Sequence, residues 1–382
     1  MTKTFLSSPD LPKQLRTLWL LLCCSASLLL TGVWVTVRTS WSPHAAELWA
    51  LVSAVGLVGY LIYLRRSLHL NHPPGDTLIR PSLGIANLTS ITRGGLAILL
   101  MGFILPPQPR GWLAWLPGGL YILSSLMDFL DGYLARRLEQ TTLLGIKLDL
   151  DLDGLVVLAG CLLVVRYGQA PPWYLLVGLA RYLFLLGGWI QQRRGQPIYE
   201  LSHNPTRRAL AGSQMGFLAA ILLPVFPPHI TRWAASLFML PFIVQFTLDF
   251  LEYVGVRRSS ASSPAHPFGL RVLGNALPLL FRVCLLLALV WSAAWSAAAV
   301  GWVLAVAPAL GALLIAVGAL GRTTAMLSMI SAGFFLRHDP SLLPGWLLLV
   351  SSIGAFFSGS GFFSLWRPED RWVFRRAGGG EP

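Results

Sequence analysis

Five aspartates, Asp128, Asp131, Asp149, Asp151 and Asp153, fall within 26 residues of a chain that holds 16 acidic residues in all. Both flanks of this stretch are hydrophobic enough to lie in a membrane. A charge in a membrane helix costs about 2.5–3.5 kcal/mol on insertion scales, so acids kept there usually face a wet cavity and carry function. Asp128 and Asp131 are three residues apart and Asp149 and Asp153 four apart, so on helices each pair projects from one face, and a helical hairpin brings the pairs together. Asp151, two residues from both members of the second pair, points the other way and is left out of the site. Four carboxylates in a low-dielectric site repel until some take up protons or a cation neutralises them. Hard oxygen ligands in this number suit Mg²⁺ or Mn²⁺, and Mg²⁺ usually binds alongside substrate phosphates. The chemistry expected is metal plus phosphate. Gly132 and Gly145 sit among the acids, where a missing side chain lets a ligand or a neighbouring helix approach closely.

The elements that must position these acids are membrane helices. Of the 382 residues, 55% are hydrophobic and 12% charged, against about 25% charged in a soluble domain. The net charge of +13 comes from short Lys/Arg clusters between apolar runs. It shows no basic stripe that would track a nucleic-acid backbone, so no nucleic-acid partner is expected. The four cysteines lie in apolar spans without metal-ligand spacing. Runs of about 20 apolar residues, each enough to cross a hydrocarbon core, number twelve. The expected fold is therefore an all-α, polytopic transmembrane helical bundle of about 12 spans, arranged two, six and four.

The domains expected are a two-helix N-terminal segment (1–70), a six-helix domain (71–256), a linker (257–274), a four-helix module (275–366) and a tail (367–382). The polar, proline-broken stretch 67–81 reads as a cytoplasmic linker. Basic connections alternate with charge-poor ones, which puts both termini and all four site aspartates at the cytoplasmic face.

The spacing D-x2-D-G-x2-A-R-x8-G-x3-D-x3-D, filled by Asp128, Asp131, Gly132, Ala135, Arg136, Gly145, Asp149 and Asp153, resembles the signature of the CDP-alcohol phosphatidyltransferase family. The resemblance extends over about 85–256, and Asn87, Thr89 and Arg93 are similar to residues that open the family's first helix. It implies that Asp128, Asp131, Asp149 and Asp153 bind one or two divalent ions that bridge the CDP diphosphate. It also implies that Asp153 serves as general base, that Gly132, Ala135 and Gly145 line the cytidine pocket, and that Arg136 lies nearby. Arg181, costly in an apolar helix, is similar to the arginine the family uses near the acceptor pocket, and Arg207 and Arg208 with Gln214 resemble its basic-x5-Gln pattern. Bidentate guanidinium contacts would suit a phosphorylated acceptor. The equal alternative is that Arg207 and Arg208 are topology signals at a cytoplasmic boundary.

The resemblance implies transfer of a phosphatidyl or other substituted phosphate group. The donor would be a CDP-alcohol such as CDP-diacylglycerol, the acceptor a small alcohol, and the released product CMP. It further implies contact with membrane lipids, a homodimer and residence in a cell inner membrane with the site facing the cytoplasm. The rival is an ion-coupled transporter, which places its acids near the bilayer midplane rather than at one face. The close of the chain, FSGSGFFSLWRPEDRW, resembles DoxX-like four-helix membrane proteins. Without a catalytic constellation there, the last four helices are expected to be accessory.

Overall fold

Apolar runs punctuated by proline, glycine and charge clusters leave little choice but helix, because a backbone in lipid must satisfy its own hydrogen bonds. The structure, a computed structural model, describes residues 11–199, 201, 205–256, 268–299, 301–318, 320–338 and 343–358. Among them are twelve α-helices and no strand: α1 (Lys13–Ser40), α2 (Pro43–Ser67), α3 (Gly84–Met101), α4 (Leu116–Arg137), α5 (Leu143–Arg166), α6 (Leu175–Arg193), α7 (Pro205–Leu222), α8 (Pro228–Tyr253), α9 (Phe268–Ala299), α10 (Trp302–Val317), α11 (Gly321–His338) and α12 (Leu343–Ser358). Each apolar run of the sequence has become one helix. Seven helices, α1–α4, α6, α8 and α9, have the length and hydropathy of a membrane crossing, and the described parts of α7, α10 and α12 are shorter apolar helices. α5 is long enough, but Lys147, Asp149, Asp151 and Asp153 interrupt its apolar character. The protein is an all-α, polytopic membrane protein.

The chain forms two compact units, Met1–Tyr167 and Gly168–Pro382. In the first, Ser42 caps α2 by accepting from the Ala45 amide (3.4 Å), with Pro43 at the first helical position. Trp19 of α1 donates its indole N–H to Leu61 O (3.0 Å), and the Arg65 guanidinium sits 4.9 Å from the same ring. The buried face of α2 reads Trp49, Ser53, Leu57, Tyr60, Leu64, a helical stripe, and it lies on α3. Trp49 Nε1 donates to Leu99 O (3.2 Å) and Tyr60 Oη to Ile91 O (3.0 Å). Gly94 leaves room for the Tyr60 ring, where any side chain would collide with it.

The stretch read as a linker joins α2 to α3 and is held by specific contacts. After a 3-10 turn at Leu68–Leu70, the chain buries Asn71 completely. The Asn71 side-chain amide donates to Arg80 O and Ser82 O (2.9 Å each), and the Asn71 backbone carbonyl accepts from the Arg80 amide (2.8 Å). At the tip, the Leu78 and Thr77 amides hold the Asp76 carboxyl below the usual carboxylate range. Burying an amide side chain only with its partners satisfied is what makes such a loop definite. Composition announces the prolines and histidines but not this pairing.

In the second unit, Gln214 of α7 is buried and joins its neighbours: it accepts from Tyr174 Oη (2.7 Å) and donates to Phe238 O of α8 (2.6 Å). The Gln of the basic-x5-Gln resemblance thus serves as an interhelical tie here. Phe184 of α6 packs among Phe246, Phe250 and Tyr253 of α8. The last four helices pack chiefly on one another, and α11 also touches α7. Arg337 donates to Pro224 O, and Gly333 lies against Val225 and Phe226, so this module is joined to the turn between α7 and α8. The DoxX-like pattern falls, from residue 359 on, outside the described residues, as do the tail and residues 257–267 of the expected 257–274 linker; the remainder of that stretch, from Phe268, is instead the start of α9.

Candidate active site

Asp128 and Asp131 project from the last turns of α4, and Asp149 and Asp153 from the first turns of α5. The hairpin between the helices is held from both ends. Thr142 caps α5, its Oγ1 accepting from the Gly145 amide (3.1 Å) and donating to Asn87 Oδ1 of α3 (3.0 Å). Gln140 Oε1 accepts from the Ile85 amide at the start of α3 (3.1 Å). A side chain at Gly145 would sit 2.7 Å from Asn87 Oδ1, so the glycine is what lets α5 come this close to α3.

The four carboxylates converge on Arg93, which stands halfway along α3 and is 1% exposed. Its Nη1 donates to Asp128 (2.5 Å) and Asp149 (3.2 Å) and lies 3.6 Å from Asp131, while Nη2 donates to Asp153. Ser90, one turn earlier on the same helix, donates its hydroxyl to Asp131 Oδ2 (2.7 Å). Burial grades across the cluster: Asp131 is 7% exposed and Asp128 21%, whereas Asp149 and Asp153 are 50% and 44% exposed. The cluster is therefore closed on the α4 side and open along α5. One guanidinium faces four carboxylates, so with all of them ionised it leaves the site negative, as a cation site requires.

The donor set fits a divalent ion. Oxygens of Asp128, Asp131 and Asp149 lie within 4.8 Å of one another. Mg²⁺ bonds of about 2.0–2.1 Å put opposite ligands about 4 Å apart, so small side-chain movements would close the sphere. Asp153 stands beside this group and is joined to it through Arg93. The buried face of α4 continues by helical spacing from the aspartates to Ser124 and Tyr121, whose hydroxyls are buried without a partner. Polar capacity thus extends beneath the carboxylates.

Of the other residues singled out from the sequence, Gly132 and Ala135 are half-buried on α4 and Arg136 is exposed one turn beyond Asp131 and Gly132. Thr89 is half-buried and bonds within its own helix, to Ile85 O (2.9 Å). Arg181 lies half-buried on α6 in the second unit; Arg207 and Arg208 fall in the first turn of α7, and their side chains lie outside the described residues. Asp151 points away from the cluster, as its spacing requires, and accepts from Tyr63 Oη of α2 (2.6 Å). Sequence reasoning did not assign Arg93 to the centre. The signal was present, because Arg93 is the only charged residue of α3 and an isolated arginine in an apolar helix needs a partner.

Residues 83–247 match the CDP-alcohol phosphatidyltransferase family. Among the relatives, those from Pseudomonas fluorescens, Bacillus subtilis and Cereibacter sphaeroides carry the name CDP-diacylglycerol–glycerol-3-phosphate 3-phosphatidyltransferase. The one from Pseudomonas fluorescens is 32% identical over 157 residues, 40% of this chain and 77% of the relative. Those from Bacillus subtilis and Cereibacter sphaeroides are each 31% identical, over 25% and 24% of this chain, and the chain spans only 56% and 41% of their lengths. No solved structure matches. The complete spacing of aspartates and glycines, its assembly at the end of a helical hairpin, and coverage of more than two thirds of a relative lead to one statement: this chain is a member of the CDP-alcohol phosphatidyltransferase family.

Proposed function

We propose that the protein transfers a phosphatidyl group, or another substituted phosphate, from a CDP-activated donor such as CDP-diacylglycerol to an alcohol acceptor, releasing CMP in phospholipid synthesis. The observation that carries this reading is the convergence of four carboxylates from two helices around one buried guanidinium, open on the α5 side. Asp128, Asp131 and Asp149 would hold Mg²⁺ or Mn²⁺, with Asp153 completing the set. The bound ion supplies neutralisation of the diphosphate and of the departing phosphate. The chain's residues do the rest. Asp153 takes the proton of the acceptor hydroxyl as its oxygen attacks the phosphorus bearing the lipid alcohol. The bond to the bridging oxygen breaks, and CMP leaves with that oxygen. Gly132, Ala135 and Gly145, with Arg136 nearby, would line the cytidine pocket.

The names of the relatives make glycerol 3-phosphate the first acceptor to test, and Arg181, Arg207 and Arg208 are the basic residues proposed to bind its phosphate. The site would face the cytoplasm of a cell inner membrane, with the protein as a homodimer among lipids. Incubating the purified protein in detergent with CDP-diacylglycerol, Mg²⁺ or Mn²⁺, and glycerol 3-phosphate, inositol, inositol phosphate or serine in turn should give metal-dependent CMP with one of them. Asp153→Asn should abolish that release while leaving CDP binding largely intact. Failure of the wild-type protein to bind CDP would sink the reading.

A further inference from the structure

Two contacts reach the catalytic hairpin from residues that lie ahead of the 83–247 family match. The first is on the outward face of α5. Tyr63 Oη donates to Asp151 Oδ2 (2.6 Å); one turn earlier, Lys147 Nζ lies 5.2 Å from the Tyr63 ring centre and donates to Ser67 Oγ (3.3 Å). The second is at the N-terminal end of α5. Asn71, buried completely, accepts from Asn87 Nδ2 (3.0 Å); Asn87 accepts from Thr142, Thr142 caps Gly145, and the Leu143 amide donates to His72 O (2.9 Å).

We propose that the N-terminal extension is a positioning element of the active site: Tyr63, acting through Asp151, sets the rotation of α5, and Asn71, acting through Asn87 and Thr142, sets its starting point. This rests on the transferase reading above. Asp149 and Asp153 lie on one face of α5 and Asp151 on the other, so a grip on Asp151 is a grip on the carboxylates. A carboxylate stands about 5–6 Å from its helix axis, so a 10° rotation moves it by about 1 Å. Ligand sets and reacting groups tolerate about half that before affinity and rate fall. The contact is not needed merely to attach α2, which already lies on α3 through Trp49, Tyr60 and the space left by Gly94. Asp151 is also an acid the metal site leaves unused, and Tyr63 gives it a purpose. The Asn71 chain ends on Gly145 and Asn87, where α5 leaves no room for a side chain against α3, so its effect should fall on the nucleotide pocket.

The test uses full-length protein in detergent, with Mn²⁺ binding read from the free-ion electron paramagnetic resonance signal, CDP binding by calorimetry and melting temperature recorded for each variant. Tyr63→Phe removes one half-exposed hydroxyl and leaves the packing in place. It and Asp151→Ala should each weaken Mn²⁺ binding about three- to tenfold, the range of one hydrogen bond. The double variant should be no weaker than either single one. Asp151→Asn, which keeps an oxygen for Tyr63, should bind like wild type, and Asn71→Ala should weaken CDP more than Mn²⁺. Unchanged Mn²⁺ affinity in Tyr63→Phe and Asp151→Ala would overturn the proposal. So would an Asp151→Asn protein that behaves like Asp151→Ala, because charge rather than the hydrogen bond would then matter. Wild-type protein that binds neither Mn²⁺ nor CDP would overturn the transferase reading, and this inference with it.

Discussion

At the scale of single residues, the site turns on an arginine that does no chemistry. Arg93 is almost fully buried and meets Asp128, Asp149 and Asp153 by hydrogen bonds, with Asp131 at 3.6 Å. Removing one partner of a buried pair costs about 3–5 kcal/mol, and the half-exposed Asp149 and Asp153 place this case toward the lower end. Arg93→Met should therefore lower the melting temperature in metal-free buffer, and Mg²⁺ should restore more stability to the variant than to wild type, because a divalent ion replaces the missing charge. Thermal unfolding in detergent with and without Mg²⁺ checks this, and equal responses would mean that the guanidinium is not the counter-ion. The aspartates were legible in the sequence because acids three and four apart in apolar flanks are costly there unless they share a cation or a cavity. Arg93 was harder to place, because its partners lie 35 to 60 residues away and spacing within α3 reveals none of them. Asn71 was harder still: amides in polar loops are common, and only tertiary contacts distinguish one that is buried.

At the scale of elements, the approach of α3, α4 and α5 depends on how each helix starts. The Thr142 hydroxyl both caps α5 and donates to Asn87, so Thr142→Ala removes the cap and leaves Asn87 Oδ1 short of a donor. Such caps are worth about 1 kcal/mol, and the expected loss in denaturant-induced unfolding is about 1–2 kcal/mol, with Thr142→Ser restoring most of it. A Ser variant as unstable as Ala would point to the methyl group instead. Helix positions could be read from apolar runs, since lipid leaves the backbone no other solution there. Their exact ends could not: α3 begins at Gly84, because Gly84 in a positive-φ conformation and Gln140 from another segment fix that end. Those are contacts between segments, invisible to periodicity.

At the scale of the molecule, the aspartates belong entirely to the first compact unit, while the last four helices pack into the second with α6–α8. Ending the chain at residue 267 keeps every aspartate of the site but strips Phe226 and Val225 of Gly333, and Pro224 O of Arg337. The shortened protein is expected to retain part of its CMP release and to melt several degrees lower. A folded truncation with no activity at all would make the last helices part of the enzyme. The need for a membrane was legible from composition alone, whereas the union of α7 with α11 was not, because lipid-facing and helix-facing apolar residues look alike in a sequence. The burial of Arg93 also bears on how the chain is made. Translation makes α3 before α4 and α5, so the guanidinium is made ahead of Asp128 and Asp153, 35 and 60 residues further on. α3 has the hydropathy to cross a bilayer, but an unpaired Arg93 raises the cost of doing so, and α4 and α5 carry acids with the same need of a partner. The three helices are then expected to be retained as a set, α3 packing on α2 while the acids of α4 and α5 pair with Arg93.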